Sequence, residues 1–147
     1  MKSLFIYYSF TGSGDVVAEK IKEKGIDIRK VISRRKMPKS FFFKVLKGGF
    51  LAGVNAKDKL DNFNTDISGY ENIIIGSPIW NGKFSSPINR VLHDLDLSKK
   101  NLTFIFYSGS GEGAKALKRV NKEYPNSKVI FLKEPKKYKE ELDKLNY

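Results

Sequence analysis

The sequence predicts an α/β fold in which a five-stranded parallel sheet carries helices on both faces. Short apolar segments, each long enough for one strand, alternate with segments whose apolar residues recur at helical spacing. The strand segments are continuously apolar, which is typical of strands buried on both faces of a parallel sheet. A chain of 147 residues is long enough for one such domain, which we predict to span residues 1–147.

The first strand is predicted at residues 2–8 and the second at residues 26–32. Between them, residues 13–24 have apolar side chains spaced as on one face of a helix. Gly25 follows directly and is a typical helix C-terminal stop. The start of the chain therefore reads as strand, helix, strand.

Three further strands are predicted at residues 72–77, 102–108 and 128–132. A helix is predicted after each of them, the first beginning at Ser85-Ser86-Pro87 and the others covering residues 112–123 and 136–145. Serine as N-cap and proline in the first turn are common at helix starts. The second half of the chain thus continues the alternation.

Residues 33–71 interrupt this pattern with Arg34-Arg35-Lys36, the run Phe41-Phe42-Phe43 and a glycine-rich stretch at 48–53. A connection this long usually contains a helix of its own or serves function, and we predict a helix over 39–47 followed by a loop. The phenylalanines either cover the sheet as a crossover helix would, or the segment places Phe50 and Leu51 beside a ligand or partner.

Composition excludes several classes of site. The chain has no cysteine, so disulfides, thiolate catalysis and iron–sulfur ligation by this chain are excluded, and the single histidine, His93, cannot form a histidine-rich metal site. No apolar run approaches the roughly 20 residues that span a bilayer, and the N-terminus lacks the apolar core of a signal peptide. We therefore expect a cytoplasmic protein without a membrane span or a metal site.

The formal net charge is +12, from 28 Lys and Arg against 16 Asp and Glu. Such a charge indicates either attraction to acidic partners or only a lysine-rich composition, and the sequence leaves both open. We expect no specific nucleic-acid binding, because no recognised module is present and Phe41–Phe43 resemble core residues.

Three predicted strands end in loops rich in glycine and hydroxyl side chains. Because ligands in parallel α/β sheets bind at the carboxyl ends of the strands, we expect these loops to form one site. They are loop one, Ser9-Phe10-Thr11-Gly12-Ser13-Gly14; loop two, Gly76-Ser77-Pro78-Ile79-Trp80-Asn81-Gly82; and loop three, Ser108-Gly109-Ser110-Gly111-Glu112-Gly113.

Loop one lies between a strand and a helix, where hydroxyls, backbone amides and the positive end of the helix dipole favour a phosphate. Asp15 stands where a P-loop needs lysine, and Val17 stands where a dinucleotide motif needs its third glycine. Both nucleotide classes are therefore disfavoured. Since loop one contains no cation, we predict that uncharged dipoles hold a single phosphate there.

Loop two contains the only tryptophan of the chain, Trp80, which either stacks on a flat heterocycle or anchors the core. Asn81-Gly82 can adopt positive φ and bring backbone amides close to a ligand. The glycines of loop three similarly allow close approach of the backbone, or only make a flexible connection before a helix. Together the loops predict a site for a phosphate joined to a flat ring.

Ser9-x-Thr11-Gly12-Ser13, Gly76-Ser77-Pro78-Ile79-Trp80 and the loop at 108–113 resemble the three FMN-binding loops of the flavodoxin family, in order and spacing over nearly the whole chain. The resemblance implies a flavodoxin-like three-layer α/β/α sandwich with strand order 2-1-3-4-5 and FMN as cofactor. It implies that Ser9, Thr11, Gly12 and Ser13 hold the FMN phosphate, that Trp80 stacks on the flavin ring and that residues 108–113 contact its other side.

The resemblance further implies a redox protein that transfers electrons between protein partners. No catalytic residue is predicted, and Asn81-Gly82 is the place where hydrogen bonding beside the flavin would change. Two alternatives stay open: an NAD(P)H- or quinol-linked flavin reductase or oxidase on the same scaffold, and a basic interaction module without flavin.

Two features depart from the family pattern. Gly14 stands where the family commonly has Ser or Thr, which removes one phosphate hydroxyl, and the chain is basic where electron-carrier flavodoxins are typically acidic. The second departure changes the expected redox partners to acidic ones, and leaves the cofactor unchanged.

Overall fold

Parallel strands form the centre of the fold. The computed structural model describes residues 1–35, 43, 46–47, 50–51 and 56–146. The strands are β1 (Ser3–Tyr7), β2 (Asp27–Lys30), β3 (Asn72–Trp80), β4 (Lys83–Phe84), β5 (Asn101–Ser108) and β6 (Lys128–Lys133). The helices are α1 (Ser13–Lys22), α2 (Ser86–Asp94) and α3 (Ala114–Glu123), followed by a 3-10 helix at Lys139–Leu145. Within these described residues, no helix is long and apolar enough to cross a membrane.

The strand order is β2-β1-β3-β5-β6, with every neighbouring pair parallel, and the two-residue β4 pairs antiparallel with the end of β3. If β4 is set aside, the five parallel strands have the predicted order 2-1-3-4-5. In the register, Tyr7 is opposite Gly76 and Pro78 is opposite Tyr107. This alignment brings the carboxyl ends of β1, β3 and β5 to one edge.

Both faces of the sheet are buried. Along β1, Leu4 and Ile6 pack into one cluster with α2 and α3, whereas Phe5 and Tyr7 pack into a second cluster with α1 and the 3-10 helix. Alternation of side chains across a strand explains the division. The predicted three-layer α/β/α sandwich is therefore confirmed.

Beyond shifts of a few residues at element ends, such as β2 at Asp27–Lys30 rather than 26–32, two predicted elements differ from the structure in ways that bear on the site. The strand predicted at 72–77 continues to Trp80, because Asn81 and Gly82 adopt φ of 51° and 74° and turn the chain directly into β4 as a hairpin. The α-helix predicted over 136–145 is a 3-10 helix that begins at Lys139, because the preceding amides of Lys137 and Tyr138 donate to the Glu134 carbonyl in a separate turn.

The two ends of the long connection between β2 and β3 are bonded to each other. Ser33 and Leu60 form an antiparallel bridge, and the Asp58 carboxylate, 2% exposed, accepts hydrogen bonds from Arg35 Nε at 2.6 Å and Ser33 Oγ at 2.7 Å. A buried carboxylate is costly unless paired in this way. Asp58 therefore holds the start and the end of this connection together.

Within the connection between β2 and β3, Phe43, Leu46 and Lys47 are helical as predicted. Phe50 and Leu51 are also helical, where a loop was predicted. The rest of the predicted helix over 39–47, with Phe41 and Phe42, lies outside the described residues. Phe43 and Phe50 are 58% and 69% exposed, whereas Leu51 is buried against Trp80. Phe43 and Phe50 therefore do not cover the sheet.

Asp15 connects α1 to the first two strands. Its carboxylate accepts a hydrogen bond from the Tyr7 hydroxyl at 2.9 Å and forms an ion pair with Lys30 at 2.8 Å. Burial raises the pKa of Asp15, but the bonds from Lys30 and Tyr7 outweigh burial and leave its pKa below the ordinary 3.8. The stability contributed by Asp15 is therefore complete above the unfolded-state pKa and is lost as pH falls through the lower folded-state pKa.

We expect Asp15→Asn to lower the free energy of unfolding at pH 7 by less than about 1 kcal/mol, because the partly exposed carboxylate is screened by solvent. The difference from the wild type should shrink from pH 5 to pH 3 and vanish in stronger acid. Urea unfolding at several pH values measures it, with Asp143→Asn on the exposed 3-10 helix as control. If the difference in unfolding free energy between Asp15→Asn and the wild type did not change with pH, the lowered pKa of Asp15 would be contradicted.

Candidate functional site

A cavity of about 1000 Å³ opens at the carboxyl ends of β1, β3 and β5. This volume is at the upper end of the range for small-molecule and cofactor sites. All three predicted loops contribute to its lining, which consists of Phe10, Thr11, Ser13, Leu46, Pro78, Ile79, Trp80, Asn81, Tyr107, Ser108, Gly109, Glu134, Lys136 and Lys137. The sheet therefore brings the three loops together as the sequence predicts.

Loop one presents the N-terminus of α1 to the cavity. Gly12, with φ of 98°, is the N-cap residue, and Thr11 and Ser13 line the cavity on either side of it. The Ser9 hydroxyl lies behind them and accepts the Asp15 amide at 3.3 Å. Because the first amides of a helix have no helical acceptors, this arrangement favours a bound anion.

Gly14 is enclosed by two tyrosines. A Cβ added there would lie 2.6 Å from Tyr107 Oη and 2.9 Å from the Tyr8 carbonyl oxygen. The Tyr107 hydroxyl itself donates to that carbonyl. Glycine at this position is therefore a packing requirement, since a serine or threonine side chain would meet the Tyr107 hydroxyl.

Loop two is divided between the cavity and the core. Pro78, Ile79, Trp80 and Asn81 line the cavity. Ser77 does not: it is fully buried, and its hydroxyl lies 3.0 Å from Ser85 Oγ at the start of α2. The structure therefore places Ser77, a predicted cofactor-binding residue, where it joins β3 to α2.

The Trp80 indole forms one wall of the cavity but is only 5% exposed. Phe10 packs edge-on against it at 5.0 Å between ring centroids, Tyr8 does so at 5.9 Å, and Leu51 completes the cluster. Its Nε1 is buried without a hydrogen-bond partner among the described residues. Trp80 is thus both a core anchor and a cavity wall, and its stacking on a ligand stays a prediction.

Loop three is organised by Ser108. Its hydroxyl accepts the amides of Gly111 at 3.0 Å and Glu112 at 3.1 Å, and Ser110 Oγ also accepts the Glu112 amide. Gly113 packs on loop two, where an added Cβ would lie 2.9 Å from Ile79. Loop three is therefore an ordered wall in which Ser108 and Gly109 face the cavity.

The remaining predicted loop residues lie around the cavity without lining it. Loop one contributes Ser9, Gly12 and Gly14 to this group, and Gly82, Ser110, Gly111 and Gly113 belong to it from the other loops. Gly82 accepts the Ala116 amide at 2.8 Å, which fixes the β3–β4 turn to α3. These residues shape the loops rather than form the surface of the cavity.

The sequence analysis missed a fourth contribution, from the turn after β6. Glu134, Lys136 and Lys137 line the cavity, and Lys136 Nζ donates to the Thr11 carbonyl at 3.2 Å. A cation therefore lies beside loop one, although loop one itself contains none; that uncharged dipoles hold a phosphate there stays a prediction. The contribution of this turn could have been predicted, because β6 is also a parallel strand and its carboxyl end lies at the same edge of the sheet as the three loops.

Two tyrosines near loop one are neutral at physiological pH. Burial, and then the charge of Asp58, raises the pKa of Tyr8 to about 12. Burial, with smaller contributions from Tyr7 and Asp15, raises the pKa of Tyr107 well above the ordinary 10. Tyr107 therefore acts in the cavity wall as a hydrogen-bond donor.

The cavity has two chemically different ends. Helix amides, Thr11, Ser13 and a lysine can bind an anion, while rings and aliphatic side chains can bind a flat apolar group. His93 lies elsewhere, exposed on α2 beside Asp94. Among the described residues, no group of three or more His, Cys, Asp or Glu could hold a metal ion.

We expect Gly14→Ala to destabilise the fold by about 1–3 kcal/mol, because the added methyl group overpacks the contact with Tyr107 and Tyr8. The cost should be smaller in a Tyr107→Phe background, which removes the nearer atom. Gly69→Ala is the matched control, since a Cβ there meets nothing within 4 Å. Urea unfolding of the four-variant cycle measures the coupling, and purely additive costs would contradict it.

Solved structures with the same architecture include flavoproteins and flavodoxins. A candidate flavoprotein from Bacteroides eggerthii matches with TM-score 0.75 and 21% identity over 99% of this chain and 98% of that chain. A flavoprotein from Lactobacillus acidophilus in complex with FMN matches with TM-score 0.68 and 22% identity, over 95% and 97% of the two chains. Oxidised flavodoxin 2 from Bacillus cereus matches with TM-score 0.50 and 15% identity, over 98% and 92%.

No protein-family model and no curated protein matches the sequence. At identities near 20%, likeness between structures establishes architecture, and function must be argued from the site. The chain therefore has the flavodoxin-like α/β/α fold.

Proposed function

We propose that this chain binds FMN and transfers electrons between protein partners. The observation that carries the proposal is the cavity itself, in which a helix N-terminus with hydroxyls lies at one end and aromatic and aliphatic side chains at the other. FMN has the same two parts, a phosphate monoester and a flat heterocycle. The FMN complex of the Lactobacillus acidophilus flavoprotein, which shares the fold, supports this choice of ligand.

The residues fit the phosphate end. Gly12 takes a left-handed φ of 98° at the start of α1, so the backbone can curve around an anion with little obstruction. Thr11 and Ser13 add hydroxyl donors beside the helix amides. Together these groups would bind the phosphate and fix the orientation of the rest of the cofactor.

The residues also fit the ring end. Phe10, Pro78, Ile79 and Trp80 provide apolar surface for a flat ring. FMN, when bound, supplies the one- and two-electron chemistry, and the protein sets its environment. The Asn81–Gly82 turn would adjust its backbone hydrogen bonding to the redox state of the ring, as its two positive φ values permit.

Electron transfer between proteins is proposed because lysines surround the loops that form the cavity. Lysines adjoin all three loops: Lys136 lies near Gly12, Lys115 near Gly82 and Lys133 near Gly111. Such a rim favours acidic redox partners through electrostatic steering. Steady-state oxidation of NADPH by the flavin-loaded protein would favour the reductase alternative instead.

The apo-protein should bind FMN at one site, with quenching of flavin emission and of Trp80 emission. Phe10→Ala should weaken binding about tenfold or more, because it removes an aromatic wall of the cavity. Phe63→Ala deletes a partly buried ring outside the cavity lining and is the control. Fluorescence titration measures both affinities. Failure of the wild-type protein to bind FMN would refute the proposal.

The cationic rim should raise the midpoint potential of the reduction step that leaves the flavin anionic, relative to acidic flavodoxins. Lys137→Gln, which removes a charge from the cavity lining, should make that potential more negative, by on the order of 10 mV at low ionic strength. A redox titration at low and high salt measures the shift, with Lys99→Gln at the opposite edge of the sheet as control. Equal potentials in all three proteins would argue against the rim's influence.

A further inference from the structure

We propose that Lys136 is a phosphate-binding residue that makes the site selective for a phosphorylated flavin over an uncharged one. The inference rests on the proposed binding of FMN and names the part of the site that recognises its charged end. Loop one contains no cation of its own, so any positive side chain at this end must come from another element.

The geometry places the Lys136 ammonium at the N-terminus of α1. Nζ donates to the Thr11 carbonyl at 3.2 Å, and a Cβ added at Gly12 would lie 3.1 Å from the same nitrogen. Lys136 lines the same cavity as Thr11 and Ser13. An ammonium has three donors, so the bond to Thr11 leaves two for a ligand.

The turn that carries Lys136 is fixed to loop three. The Glu134 amide donates to the Ser108 carbonyl at 3.0 Å, the Lys137 amide donates to the Glu134 carbonyl at 2.8 Å, and Pro135 between them is buried. The Lys136 side chain therefore reaches from the loop-three side of the cavity to loop one. Its position depends on a hydrogen-bonded turn and not on a free loop.

The charges around Lys136 leave it available to an anion. Among the ion pairs of the described residues, none includes Lys136, and the acidic residue in the first turn of α1, Asp15, is paired with Lys30. Glu134 also lines the cavity, and it begins the turn on the loop-three side, where its amide donates to the Ser108 carbonyl. A dianionic phosphate beside α1 would thus meet the helix dipole and one ammonium together.

This arrangement offers a physical reason for the missing hydroxyl in loop one. At Gly14 the Tyr107 hydroxyl occupies the space that a serine or threonine side chain would need. A charge-assisted bond from an ammonium is stronger than one from a neutral hydroxyl. Lys136 can therefore supply beside Gly12 a donor that the side chain of residue 14 cannot.

The test compares FMN with riboflavin, which has the same ring and no phosphate. Lys136→Met should weaken FMN binding about tenfold or more and leave riboflavin binding within about twofold, because only the charged end is affected. Lys136→Arg should keep most of the preference for FMN. Lys99→Met, the same charge change before β5 at the opposite edge, is the control. Titration of the apo-proteins at low and high salt measures each affinity, and salt should weaken FMN binding more in the wild type than in Lys136→Met.

The outcomes separate this inference from the proposed function. If FMN binding is unchanged in Lys136→Met, or if FMN and riboflavin are weakened equally, the role of Lys136 is overturned while FMN binding stands. A wild-type protein that binds riboflavin as tightly as FMN also overturns it. If the wild type binds neither flavin, the proposed function fails and this inference fails with it.

Discussion

The hydrogen bond from the Tyr107 hydroxyl to the Tyr8 carbonyl is the constraint on which the site depends. It joins the end of β5 to the end of β1 across β3, and therefore ties loop three to loop one. The same hydroxyl fills the space beside Gly14, so α1 can begin where it does only with glycine at that position. Since burial keeps Tyr107 neutral, this donor is present over the whole physiological pH range.

Much of the fold could be predicted because its signals are local. The apolar strand segments, the glycine after α1 and the Ser-Pro start of α2 each correspond to one physical requirement, and the parallel order then brings three loops to one edge. The extent of β3 was less predictable, because Asn81 and Gly82 form a hairpin turn whose short return strand, β4, has only two residues. The 3-10 form of the last helix depends on a turn at Glu134, which helical spacing does not report.

The site was predicted less completely, because long-range packing decides which loop residues line a cavity. Ser77 and Pro78 are adjacent in sequence, yet the alternation of a strand sends Ser77 to Ser85 and leaves Pro78 at the cavity. Trp80 is covered by Leu51, which lies about 30 residues earlier in the chain, in the connection between β2 and β3. Lys136 stands at the start of the helix predicted over 136–145, and only the strand order places its turn beside loop one.

The position of the basic residues in the structure says more about their effect than the net charge does. Sequence alone leaves a net charge of +12 open to either a general composition or a partner. Lysines from α3, from the end of β6 and from the following turn lie beside loops two, three and one. Charges at the mouth of a low-dielectric cavity act on its contents and on approaching proteins more strongly than charges elsewhere on the surface. Under the proposed function, the same few lysines would therefore affect ligand choice, reduction potential and partner charge together, so that a change in one property should be accompanied by changes in the others.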